Sequence, residues 1–142
     1  MIFSTERLWQ FSLNIYPEKQ KELLRWQDEH GANVNLALFC IYTDQHQIAL
    51  TQEQIETLHQ SITSFSKRAT NKLRVLRREF KVQSSDISYY EQIKKHLLEA
   101  ELLLEKQEQS LLVEQAQSII SDIEGPELKN WPAYQQLLTH KS

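Results

Sequence analysis

Residues 51–81 read TQEQIETLHQSITSFSKRATNKLRVLRREFK, and this stretch decides the fold. Ile55, Leu58, Ile62, Phe65, Ala69, Leu73, Leu76 and Phe80 recur at alternating steps of three and four, the period of one helix face. Thr51 stands three residues before Gln54, the spacing of a capping box, in which each side chain satisfies the other residue's backbone N–H. The pattern predicts one helix over 51–81. Downstream, Ser85 or Asp86 can cap a second helix over 88–123, and a short connection makes the two antiparallel. Tyr90, Ile93, Leu97, Ala100, Leu104 and Leu111 form its stripe, which Leu112, Ala116, Ile119 and Ile123 continue with a rotated phase. Gly125-Pro126 is expected to end it, and Pro132 to open a short terminal helix over 132–139.

Upstream, Asn33 can cap a helix over 34–46 whose run from Leu36 to Tyr42 is apolar on every side. Val, Phe, Ile and Tyr also favour strands, but no partner strand is visible, so a helix is read here. A helix apolar all round belongs in the middle of the molecule. Gly31 offers a left-handed cap to the preceding helix, read as 18–30 with Pro17 in its first turn. A helix over 5–16, capped by Ser4 or Thr5 and carrying Leu8, Phe11, Ser12 and Ile15, is expected to form a tight hairpin with it.

The fold class is therefore all-α: a single-domain helical bundle over 1–142 with a buried third helix and a long antiparallel helix pair. Composition agrees, since 142 residues contain only 2 Gly and 3 Pro, five backbone punctuators where average usage is about 12% of residues. That scarcity excludes most β architectures, which need repeated turn chemistry, and also the glycine-rich phosphate loops of many enzymes. The seven-residue run Leu36–Tyr42 falls far short of the roughly 20 residues that span a bilayer. A soluble, cytoplasmic protein without membrane insertion is expected, and the lone Cys40 should be a buried, inert thiol.

The net charge of −3 conceals a segregation. Residues 1–66 carry −4 and residues 82–127 carry −7, whereas residues 67–81 hold seven basic side chains and only Glu79. Lys67, Arg74, Arg77, Arg78 and Lys81 fall on the flank or far side of the 51–81 helix, making a candidate binding face. The competing reading is a solvated face partly neutralised across the antiparallel pair, in which Arg74 and Arg77 reach Glu91, Glu99 or Glu101.

A second candidate is the polar corner Gln27, Asp28, Asn33 and Asn35. These side chains can cap helix ends and build an internal hydrogen-bond network, or line a pocket for a small polar ligand. The first reading is preferred, because buried Asn and Asp need partners with or without a ligand. Glu56-Thr57-Leu58-His59 matches a Glu-x-x-His motif once, and a di-metal helical bundle needs it twice, so neither metal nor cofactor is expected. No nucleophile elbow, paired-cysteine or DNA-reading motif is present, and catalytic residues are not assigned.

The pieces Leu8-Trp9-x-Phe11-Ser12 with Tyr16, Gln27-Asp28-x-x-Gly31-x-x-Val34-Asn35-x-x-Leu38-Phe39, Leu73-Arg74-x-Leu76-Arg77-Arg78, and Tyr90-x-x-Ile93-Lys94 followed by Leu98-Glu99-Ala100-Glu101 occur here in fixed order. In this the chain resembles a family of short proteobacterial proteins known only as a domain of unknown function, over roughly residues 3–112. That family tends to carry Asp where Asn33 stands and Trp where Tyr42 stands. The resemblance implies a helical cytoplasmic bacterial protein and brings no activity. The expected function is a small non-enzymatic interaction or adaptor protein using the basic face against another protein. The alternatives are a ligand-binding or enzymatic bundle using the Gln27–Asn35 corner, and an accessory protein binding RNA phosphates. The distal stripe of the 88–123 helix, from Leu112 to Ile123, is read as a surface for the terminal helix or for a homodimer.

Overall fold

The computed structural model describes residues 4–119 and 129–140. Among these the chain forms α1 (Thr5–His30), α2 (Val34–Gln45), α3 (Gln52–Arg68), α4 (Thr70–Val82), α5 (Tyr90–Ile119) and α6 (Asn130–His140), with a short 3₁₀ turn at Ser84–Asp86 before α5. No strand occurs among the described residues.

Helix ends follow local chemistry. The Ser4 hydroxyl accepts from Arg7 N–H, and the Asn33 side chain accepts from Leu36 N–H at the start of α2. The Thr51 and Gln54 side chains complete a reciprocal capping box at the start of α3. Gly31 closes α1 at φ 72°, with its own N–H on the Gln27 carbonyl and Ala32 N–H on the Trp26 carbonyl. A left-handed residue at that point suits glycine, which carries no Cβ to strain.

The middle of the molecule is α2, in which every residue from Asn35 to Thr43 is buried. It packs against α1, α5 and α6 and touches α3. Leu8 and Leu23 of α1, Ile55, Leu58 and Ile62 of α3, Leu112, Val113 and Ala116 of α5, and Trp131, Tyr134 and Leu138 of α6 complete the buried cluster. Cys40 lies at its centre with no exposure, and burial pushes its thiol pKa well up, so it is an inert core residue. Asp44 and Asn130 fasten α6 to α2. The Asp44 carboxylate accepts from the backbone N–H groups of Asn130 and Trp131, capping α6 from outside its own chain segment. The Asn130 amide donates to Thr43 Oγ1 and to the Ile48 carbonyl and accepts from Leu50 N–H.

Several helix boundaries differ from the sequence reading, α5 for one beginning at Tyr90 instead of 88. The 5–16 and 18–30 helices are one continuous helix, and the hairpin at Pro17 does not exist. Proline removes only the bond to the carbonyl four residues back, that of Leu13, and Leu13 is on the solvent side at 52% exposure, so water can serve that carbonyl. The 51–81 helix is two helices, broken at Ala69 (φ −131°, ψ −76°). Ile55, Leu58 and Ile62 face the core, whereas α4 packs on α3 and α5, so the two stretches have different partners despite one unbroken apolar period. The terminal helix begins at Asn130 instead of 132, with Pro132 inside its first turn, where no intrahelical donor is lost. The expected helix end at Gly125-Pro126 lies outside the described residues.

Because Pro17 is exposed and interior to α1, Pro17→Ala restores a helix hydrogen bond without touching the core. It is expected to stabilise the fold by about 1–3 kcal/mol, read as a higher urea midpoint at unchanged m-value.

Candidate functional site

At the polar corner the structure brings Asn33 and Asn35 together and leaves Gln27 and Asp28 out. Asn33 Nδ2 donates to Glu108 Oε1 at 3.0 Å while its Oδ1 caps α2. Asn35 Nδ2 donates to the same oxygen at 3.2 Å and to the Glu105 carbonyl at 3.4 Å. The Thr70 hydroxyl, at the α3–α4 break, donates to Glu108 Oε2. Gln109 Nε2 donates to Asn35 Oδ1 at 3.1 Å and to Ser12 Oγ at 2.9 Å, and Gln109 Oε1 is buried with no partner among the described residues. On the other side the Tyr134 hydroxyl accepts from Asn33 N–H at 2.9 Å, which leaves its own proton for His59 Nδ1 at 2.7 Å. One continuous network thus runs through all six helices.

Glu108 is 2% exposed, and among the described residues its carboxylate meets only neutral donors. A buried carboxylate is tolerated when its lone pairs are filled, and three donors fill them here. Asp28 is exposed and Gln27 half-buried, and Gln27 contributes its backbone carbonyl to the Gly31 cap. Arg77 makes its hydrogen bonds away from this corner.

It belongs to an ionic seam between α4 and α5. Arg77 Nε and Nη2 grip the Glu101 carboxylate, and Arg74 Nη2 meets Glu105 Oε1 at 2.7 Å with its Nε 4.0 Å from Glu101. Glu101 is 6% exposed, and its hydrogen bond raises the Arg77 pKa further, so the guanidinium is always charged. Glu99 is not in the seam. Two residues from Glu101 is about 200° around the helix, so Glu99 faces solvent and pairs with His96 at 3.7 Å. Glu91 is exposed as well.

The five-residue basic face therefore divides. Arg74 and Arg77 turn to α5, while Lys67 on α3 and Arg78 and Lys81 on α4 stay exposed, joined by Arg68 and Lys72. Among the described residues Lys67, Lys72, Arg78 and Lys81 make no ion pair. Of its thirteen residues α4 buries only Thr70, and Val75, Leu76 and Val82 are 49%, 39% and 86% exposed. A shallow surface depression at the α3–α4 break is lined by Lys67, Asn71, Lys72 and Val75.

His59 bonds Tyr134, and the described residues contain no group of three or more His, Cys, Asp or Glu side chains placed to hold a metal ion. Trp26 packs edge-on against Trp131 at 5.9 Å, and Trp9 lies under Lys106 at 5.9 Å. Of the distal stripe of α5, Leu112 and Ala116 are buried in the chain's own core beside Val113, so this part is no free surface, and Ile123 lies outside the described residues. Ser12, Thr70, Glu105, Glu108, Gln109 and Tyr134 were not singled out as site residues. The available signal was Glu108 standing four residues after Leu104 and three before Leu111, a charge in a stripe position.

This all-α arrangement, with a polar network at its centre and a cationic helix on its flank, coincides with a family match. The chain belongs to the family described as protein of unknown function (DUF2390), whose model covers residues 7–112. No curated protein and no solved structure matches the chain. No helix among the described residues is long and apolar enough to cross a membrane.

Two expectations follow from the network. Glu108→Leu strands the Asn33, Asn35 and Thr70 donors and should cost about 3 kcal/mol or more, whereas Glu108→Gln should cost about 1 kcal/mol, because the Thr70 hydroxyl can reverse to accept; equilibrium urea unfolding separates them. Burial raises the Tyr134 hydroxyl pKa above its usual 10.0, Cys40 is raised above 9.0, and Tyr16 and Tyr42 are raised too. These groups ionise first in the unfolded chain, so the folded state binds more protons and stability, complete below about pH 9, falls as pH rises past that point. Tyr134→Phe should flatten that alkaline loss by up to about 1.4 kcal/mol per pH unit, measured as unfolding midpoint against pH.

Proposed function

We propose that the protein is a non-enzymatic interaction protein whose exposed side of α4, with the end of α3, docks an acidic protein partner. The observation that supports this most is the combination on α4. A thirteen-residue helix buries one side chain and presents unpaired cations interleaved with exposed apolar residues. Single exposed valines are ordinary on a solvated surface; what supports the reading is that the cations and Val75, Leu76 and Val82 share one helix that buries only Thr70.

The same residues favour protein over RNA. Phosphate-tracking surfaces interleave basic residues with aromatic platforms on which bases stack, and the exposed positions of α4 carry valine and leucine instead. The overall net charge of −3 also opposes general nucleic-acid attraction. The Gln27–Asn35 corner is the less favoured site, since the amides of Asn33 and Asn35 are committed to Glu108.

Fluorescence anisotropy with labelled poly-L-glutamate and labelled poly(U) tests this at low and high salt. Wild type should bind polyglutamate, and the surface variant Lys72→Glu/Arg78→Glu/Lys81→Glu should bind it at least about tenfold more weakly, with Arg74 and Arg77 kept so that the seam survives. Undiminished binding by a folded variant, or selective binding of poly(U), would overturn the proposal.

A further inference from the structure

We infer that the acidic partner docks as an amphipathic helix laid along α4, with a carboxylate in the depression between Lys67, Asn71 and Lys72 and apolar side chains on Val75 and Val82; this rests on the function proposed above.

The stripe itself specifies the shape. Asn71, Val75, Arg78 and Val82 stand at i, i+4, i+7 and i+11, which is one line along the outer surface of α4, opposite the side that holds Arg77 against Glu101. Val75 and Val82 are two turns apart, about 10.5 Å, the repeat at which a second helix returns its own side chains to the same line. A bound strand returns side chains to one face at about 6.7 and 13 Å, which misses both valines at once. Valine is also short, so a facing helix can come within the usual 8–10 Å between axes.

Helix propensity does not account for these side chains. Valine is a poorer helix former than the Glu, Lys or Gln that ordinarily fill solvent positions, because its branched Cβ loses rotamer freedom against the preceding turn. Val82 is 86% exposed at the last turn of α4 and Val75 is 49% exposed, so among the described residues Val82 recovers little of that cost by packing and Val75 about half of it.

Charge fixes the partner's sign along the line. The depression is walled by two lysine side chains and the Asn71 side chain at the α3–α4 break, and Arg78 lies between the valines. Together they ask for carboxylates at one end and in the middle of the docked helix. Glu79, exposed on the Lys72 flank, asks for a neutral or basic residue there. A uniformly acidic ligand satisfies the first demand and not the second.

Two synthetic peptides of one composition, Glu, Ala, Lys and Leu, test the inference: one with leucines seven residues apart on a single helical face, the other with the same residues scrambled. Wild type should prefer the first by about tenfold in anisotropy titrations, and Val75→Ser/Val82→Ser should abolish that preference while binding poly-L-glutamate as wild type does. Equal binding of both peptides, or an undiminished preference in the serine variant, would overturn helix docking and leave the acidic-partner reading standing on its polyglutamate result. Light scattering covers the other occupant. A wild-type dimer that the serine substitutions convert to monomer would assign this face to a second copy of the chain and overturn the inference.

Discussion

Glu108 is the constraint on which the rest of the architecture depends. A carboxylate 2% exposed carries a desolvation cost of several kcal/mol, and the fold offsets it by converging three neutral donors from three different segments. Asn33 comes from the α1–α2 junction, Asn35 from the first turn of the buried helix, and Thr70 from the α3–α4 break. Each donor position is therefore also an architectural position. The left-handed Gly31 delivers Asn33 to Glu108, and the backbone departure at Ala69 delivers Thr70. A slip of one residue at either place moves its donor about 100° around its helix and leaves a buried charge short of a partner.

The break at Ala69 has a second effect, on the direction of α4. From Thr70 onward the helix follows α5, and the contacts climb in register: Thr70 to Glu108, Arg74 to Glu105, Arg77 to Glu101. The seam is partly buried at its Glu101 end, where losing one member would leave a charge with little water, and solvated at its outer end. α4 is thereby fixed by one side only. Among the described residues its other side is bound to nothing, and that freedom follows from how completely Glu108, Glu105 and Glu101 absorb the inward side.

The sequence disclosed the features whose cause is local. Capping by Ser4, Asn33 and the Thr51–Gln54 pair, the left-handed Gly31 and the all-apolar α2 each arise from a few neighbouring residues, and each appears where its chemistry put it. The misreadings share the opposite character. Pro17 breaks a helix in most settings, and it is accepted here because Leu13 faces water; that depends on which side of α1 the core lies. Ala69 is an excellent helix former in an unbroken apolar period, yet the helix departs there because Thr70 has a partner 38 residues away. In the seam, Glu101 was legible as a partner for Arg77, but Glu105 instead of Glu99 beside Arg74 depended on the rotation of α5, which a list of nearby acids does not contain.

Charge counting shows the same limit in the site itself. The seven bases of residues 67–81 look like one patch in sequence, and the fold sorts them by angle into two populations with different physics. Arg74 and Arg77 are planar guanidiniums that hold carboxylates and are part of what keeps α4 on α5. Lys67, Lys72 and Lys81 are flexible ammonium groups that stay hydrated, with Arg78 beside them on the outer line. Reversing all seven charges at once would therefore confound unfolding with loss of binding. The three lysines all stay on the surface, whereas the four arginines divide evenly, Arg74 and Arg77 holding the seam and Arg68 and Arg78 lying exposed. Among the exposed apolar side chains of α4 it is then the two valines on the outer line that pack least within the described residues.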